Sequence, residues 1–87
     1  MTSSTFSSED AFYITKLGLV LVGKLKGEVH AGQYLVFPNA IRYRVKGINY
    51  VRKNQSEIIG LALDTSLTSS EEARAQGLVG VTAHILP

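Results

Sequence analysis

The sequence predicts an all-β protein: a small, six-stranded, antiparallel, closed β-barrel with one short helix before the last strand. Three observations carry this. Runs rich in β-branched and aromatic residues recur at short spacing, separated by glycine-containing turns. The pattern turns helical once, at "SSEEARAQG". A chain of 87 residues makes one domain. In so small a domain, closure into a barrel removes the exposed edges that an open sheet would leave.

The elements follow in order. Residues 1–9 are rich in Ser and Thr and are expected to form a disordered N-terminal tail, with the barrel over 10–87. "DAFYITKL" begins a strand. "LVLVGKLKG" continues as a second, apolar on both faces at first and then alternating Lys with Leu. "GEVHAGQ" carries two glycines and is a turn region, with room for a short extended piece at Glu28 to His30. "QYLVFP" is a strand ended by Pro38 and Asn39.

"IRYRVKGINYVRK" is a long strand with an internal conflict. Ile41, Tyr43 and Val45 share one face and Arg42, Arg44 and Lys46 the other. Ile48 and Tyr50 then look inward although they share the parity of Arg42. A bulge near Gly47 reconciles the two halves. "EIIGLALD" is a short buried strand. Ser69 stands three residues before Glu72, the spacing of a capping box, and Gly77 is placed to end a helix running from about Ser69 to Gln76. "LVGVTAHIL" closes the barrel with Val79, Val81, Ala83 and Ile85 on one face. Phe12, Ile14, Val20, Val22, Leu35, Val45, Ile59, Leu61, Val79 and Val81 are expected to be mainly buried.

Gly18 to Leu25, "GLVLVGKL", nearly spells a phosphate-binding loop. Such a loop needs a turn whose backbone N–H groups face the phosphates, followed by a helix. Here the middle residues are Leu19, Val20, Leu21 and Val22, a strand core. Leu25 has no hydroxyl for magnesium, and no helical period follows. The segment is read as strand. Gly23 then serves a close neighbour or a bulge, and no GTP site is expected.

Other chemistry is also thin. There is no cysteine, hence no disulfide and no thiolate metal site. Asp10, Asp64, His30 and His84 are scattered, so no catalytic set, metal or cofactor is expected, and the chain is read as non-enzymatic. No apolar run approaches the ~20 residues that span a bilayer. The opening residues lack the basic and apolar blocks of a signal peptide. A cytoplasmic location without membrane contact is the expectation.

Charge is the informative property. The net is +2, yet the stretch from Lys16 to Lys53 carries eight cations against Glu28 alone, a local +7, and the remainder carries −5. A basic middle between acidic ends points to an anionic partner. The candidate nucleic-acid-binding residues are Lys24, Lys26, Arg42, Arg44, Lys46, Arg52 and Lys53. Lys24 and Lys26 are expected on an outward face adjacent to that of Arg42, Arg44 and Lys46. Tyr13, Tyr34 and Tyr50 offer stacking surfaces. The competing account is a solvated face whose cations only guard strand edges.

Asp10, Phe12, Gly18, Gly23, Lys24, Gly27 and Gly32 fall in a familiar order within "DAFYITKLGLVLVGKLKGEVHAGQYLVF". With Gly47, Ile48, Arg52 and Lys53 in "VKGINYVRK", and with "EEARAQGLVG", they resemble the second domain of translational GTPases of the elongation factor Tu class. The resemblance runs from Asp10 to Pro87. It implies a translation-protein-type barrel without the nucleotide-binding domain. It also implies contact with RNA or the ribosome, or docking on a larger protein. Of the pocket that holds the aminoacylated end of tRNA in some members, Asp10, Phe12 and Arg52 match. Leu17, Asn49 and Ile58 depart from the pattern, and the loop "KNQS" is shorter. Two functions therefore stand: a non-enzymatic barrel contacting RNA or the ribosome through a basic face, or a protein-interaction or self-associating module.

Overall fold

The computed structural model describes the backbone of residues 4–53 and 56–86, and the side chains of all of these but 50–57. The strands are β1 (Thr5–Ile14), β2 (Gly18–Lys26), β3 (Tyr34–Val36), β4 (Arg42–Lys53), β5 (Ser56–Asp64) and β6 (Thr82–Leu86), with helix α1 (Ser70–Ala75) before β6. They close into an antiparallel barrel in the order β1-β2-β5-β4-β3-β6, with β6 returning to β1. The fold is the closed six-stranded barrel that the strand spacing predicts.

The barrel begins earlier than expected. β1 starts at Thr5, and Phe6 is fully buried. Residues 5–9 are therefore strand and not tail; residues 1–3 lie outside the described ones. The Ser-rich composition conceals this because Ser8 points inward with its polarity satisfied. Its hydroxyl donates to the Leu78 carbonyl at 2.6 Å, and its N–H donates to the Val81 carbonyl at 2.9 Å. A buried hydroxyl with partners avoids the cost of a lost hydrogen bond.

Two bulges set which side chains enter the core. In β1 the register with β2 shifts between Ser8 and Asp10, leaving Glu9 extra. Before it Phe6 and Ser8 face inward; after it Ala11 does. One extra residue flips every later side chain to the other face. This corrects the placement of Phe12 and Ile14, which are 50% and 44% exposed. Opposite the bulge is Gly23. A Cβ there would lie 1.9 Å from the Ser7 carbonyl oxygen, so only glycine permits the approach. Gly18 to Leu25 is strand throughout.

The second bulge lies in β4, where the register with β5 shifts between Val45 and Gly47 and leaves Lys46 extra. Val45 is buried before it, and Ile48 packs on the core after it. The core holds Phe6, Leu19, Leu21, Leu35, Val45, Ile59, Leu61, Leu63, Leu78 and Ile85, among others. Val20 is also buried, whereas Val22, Val79 and Val81 are only half-buried.

Helix α1 has the ends its sequence specifies. Ser69 is the N-cap, and its hydroxyl accepts from the Glu72 N–H at 3.1 Å. At the other end the Leu78 N–H donates to Ala73 and the Gly77 N–H to Arg74, both at 3.0 Å. This is the paired bonding of a Schellman motif, with Gly77 at φ 77°. Among the described residues no helix is long and apolar enough to cross a membrane.

Candidate nucleic-acid interface

β4 builds the basic face. Its alternation turns Tyr43 and Val45 toward the barrel and leaves Arg42, Arg44 and Lys46 exposed. Arg42 and Arg44 stand two residues apart on one face, roughly 7 Å along the strand. Lys46 follows on the bulge. Neighbouring strands add an aromatic and an acid. Tyr34 of β3 pairs with Arg44, and Arg44 pairs in turn with Asp64 at the end of β5. Tyr34, Arg44 and Asp64 are all exposed, and form one row across the outer face.

A hollow of about 350 Å³ opens beside this row, lined by Ala31, Gly32, Arg44, Val45, Lys46 and Asp64. Backbone hydrogen bonds fix its rim. The Gly32 N–H donates to the Val45 carbonyl at 2.7 Å, and the Val45 N–H donates to the Gln33 carbonyl at 2.8 Å. The Gln33 side chain accepts from the His30 N–H at 2.7 Å and ties down the preceding turn. Lys46 extends toward the first residue of β2. A Cβ on Gly18 would lie 3.0 Å from its Nζ, and at φ 86° Gly18 sits where a side chain is already disfavoured.

The ion pairs among the described residues lie elsewhere. Arg74 Nη2 meets Asp10 Oδ1 at 2.7 Å, and His30 stands 3.8 Å from Glu28. The Asp10 carboxyl is held below its ordinary range, chiefly by the hydrogen bond from the Ala11 N–H; burial opposes this, and the hydrogen bond and charge of Arg74 add to the lowering. Arg74 is thus committed to joining α1 to β1. Arg42, Arg44 and Lys46 take part in no ion pair among the described residues.

The seven predicted cations are not one patch. Lys24 and Lys26 are exposed, but β2 is separated from β4 by β5. They pair with Ser7 and Thr5 of β1, on the side of β2 turned from β4. The expected adjacency of Lys24 and Lys26 to Arg42, Arg44 and Lys46 is therefore corrected. Arg52 and Lys53 end β4, eight or more residues beyond Arg44 and roughly 25 Å along the strand. Their side chains, with that of Tyr50, lie outside the described residues.

Two members of the row did not stand out in the sequence as a pair. Tyr34 opens a three-residue strand and Asp64 closes β5. Only the register on both sides of β4 brings them to Arg44.

A different surface lies at the far end of the β1–β2 hairpin. Phe12, Tyr13, Ile14 and Leu17 are all exposed there. Among the described pairings β1 meets β6 over Thr5 to Ser7, so the outer half of β1 has β2 alone as its strand neighbour. Among the described residues no three His, Cys, Asp or Glu side chains gather as a metal site. No protein-family model, no curated protein and no solved structure gives a significant match to this chain.

Proposed function

We propose that this protein is a non-enzymatic binding module that contacts RNA or the ribosome through the outer face of β4. The observation that supports this is the set Arg42, Arg44 and Lys46. They are exposed, adjacent and committed to no ion pair among the described residues, beside the exposed ring of Tyr34. Cations that track phosphates, with an aromatic surface for a base, are the means by which proteins hold single strands without reading sequence. The resemblance to the second domain of elongation factor Tu-class GTPases points the same way, and with it goes a cytoplasmic site of action.

Recovery of the tagged protein from its own cell lysate, with and without nuclease, tests the proposal. RNA should accompany the wild type, be lost on nuclease treatment, and be strongly reduced with Arg42→Gln/Arg44→Gln. Protein partners retained after nuclease, with no RNA recovered, would count against it.

The hairpin end supports a second reading. Phe12, Tyr13, Ile14 and Leu17 form an exposed apolar surface of the kind that docks on another protein. In this reading the partner persists through nuclease treatment and is lost with Phe12→Ser, while Arg42→Gln has no effect.

A further inference from the structure

Phosphate contact does not account for one member of the β4 surface. Asp64 lines a hollow whose other charged groups are Arg44 and Lys46. A carboxylate there repels any phosphate that the cations attract. It forms no ion pair with Arg44 among the described residues, although the two are direct cross-strand partners. An exposed, ionised carboxylate can only accept hydrogen bonds. Its favourable partner in this setting is therefore a hydroxyl or amine donor carried close to a phosphate.

The order and spacing of the row suit a base, its phosphate and the adjoining sugar. Tyr34, Arg44 and Asp64 occupy three successive strands, and strands lie about 4.8 Å apart. A ring stands at one end, a carboxylate about 10 Å away at the other, and a guanidinium between them. Lys46 lies beside them on its bulge. In a nucleic-acid strand each phosphate joins the sugar that carries one base to a second sugar on its other side. The donor this second sugar offers next to the phosphate is the 2′-hydroxyl, present in RNA and missing from DNA.

We infer that this row is a ribonucleotide seat that prefers RNA to DNA. Tyr34 stacks a base, Arg44 and Lys46 hold the 5′-phosphate of that nucleotide, and Asp64 accepts a hydrogen bond from the 2′-hydroxyl of the ribose before it. The inference rests on the RNA reading above and adds its selectivity. The carboxylate repels both kinds of strand, and only RNA returns a hydrogen bond that offsets the repulsion. Specificity of this form relies as much on penalising the wrong ligand as on rewarding the right one.

Fluorescence anisotropy at low salt tests this with three labelled probes: an oligouridylate, its 2′-deoxy counterpart and its 2′-O-methyl counterpart. The wild type should bind the oligouridylate about five- to tenfold more tightly than either counterpart, the scale of one ordinary net hydrogen bond. Asp64→Ala should strengthen binding of the deoxy probe and bring the ratio within about twofold. Tyr34→Leu should weaken all three probes alike and leave the ratio, because stacking does not sense the sugar. Equal binding of the three probes by the wild type overturns the inference and leaves the RNA reading standing. So does an RNA preference that survives Asp64→Ala. Binding of none of the probes at low salt removes the RNA reading itself, and this seat with it. The wild-type comparison needs no variant, so a folding defect in Asp64→Ala does not blunt it.

Discussion

At the scale of single residues, Phe6 and Ser8 determine where the barrel starts. Their neighbours are Ser and Thr, and composition alone hides a buried strand behind a polar surface pattern. Phe6 is fully buried in the core. Phe6→Ala is expected to cost about 3–5 kcal/mol, transfer and cavity together. A domain of this size has roughly 5–10 kcal/mol in total, so the loss should appear as a large drop in the urea midpoint. A tail residue would give almost no change. Asp10 supplies a pH test. Its folded-state value is depressed, so the stability it contributes is present at neutral pH. That stability is lost as pH falls from the ordinary carboxylate range through the lowered value. Both Asp10 and Arg74 are substantially exposed, which keeps the effect small. Asp10→Asn should flatten the acid limb of a stability–pH curve slightly and leave its neutral part nearly parallel to that of the wild type.

At the scale of elements, the two bulges explain what could and could not be read in advance. The bulge in β4 was legible because "RYRVKGINY" contradicts itself: apolar residues change parity across Gly47, and an extra residue is the remedy. The bulge at Glu9 was not legible. Ser7, Ser8 and Glu9 give no hydrophobic parity to contradict, so simple alternation puts Phe12 and Ile14 on the wrong face. The basic residues of β4 were likewise placed outward by alternation alone. Tyr34 and Asp64 joined them only through strand order, which periodicity does not encode. Local signals served best at α1, whose cap, acidic first turn and terminal glycine all lie within its own sequence. Ser69→Ala should cost about 1 kcal/mol, a shift of several degrees in melting temperature for a domain this small.

At the scale of the whole molecule, the barrel distributes its charge more than the chain does. A +7 middle in sequence becomes a described cluster of three cations on β4, with Lys24 and Lys26 apart on β2, beyond β5. The near-match to a phosphate-binding loop becomes barrel wall, so millimolar GTP or ATP with magnesium should leave the melting temperature unchanged. A ligand at a hundred times its dissociation constant would add ~2.7 kcal/mol, or roughly 10 °C here.

The salt dependence of RNA binding tests the β4 interface most directly. Each phosphate contact on a single strand contributes about 0.7 to the slope of log K against log salt. Three contacts from Arg42, Arg44 and Lys46 predict a slope near −2 for the wild type. Arg42→Gln/Arg44→Gln should make it shallower by about 1.4, and Lys24→Gln/Lys26→Gln should leave it unchanged. A flat slope in the wild type, or a loss that follows Lys24 and Lys26 while the β4 variant binds normally, would contradict the assignment.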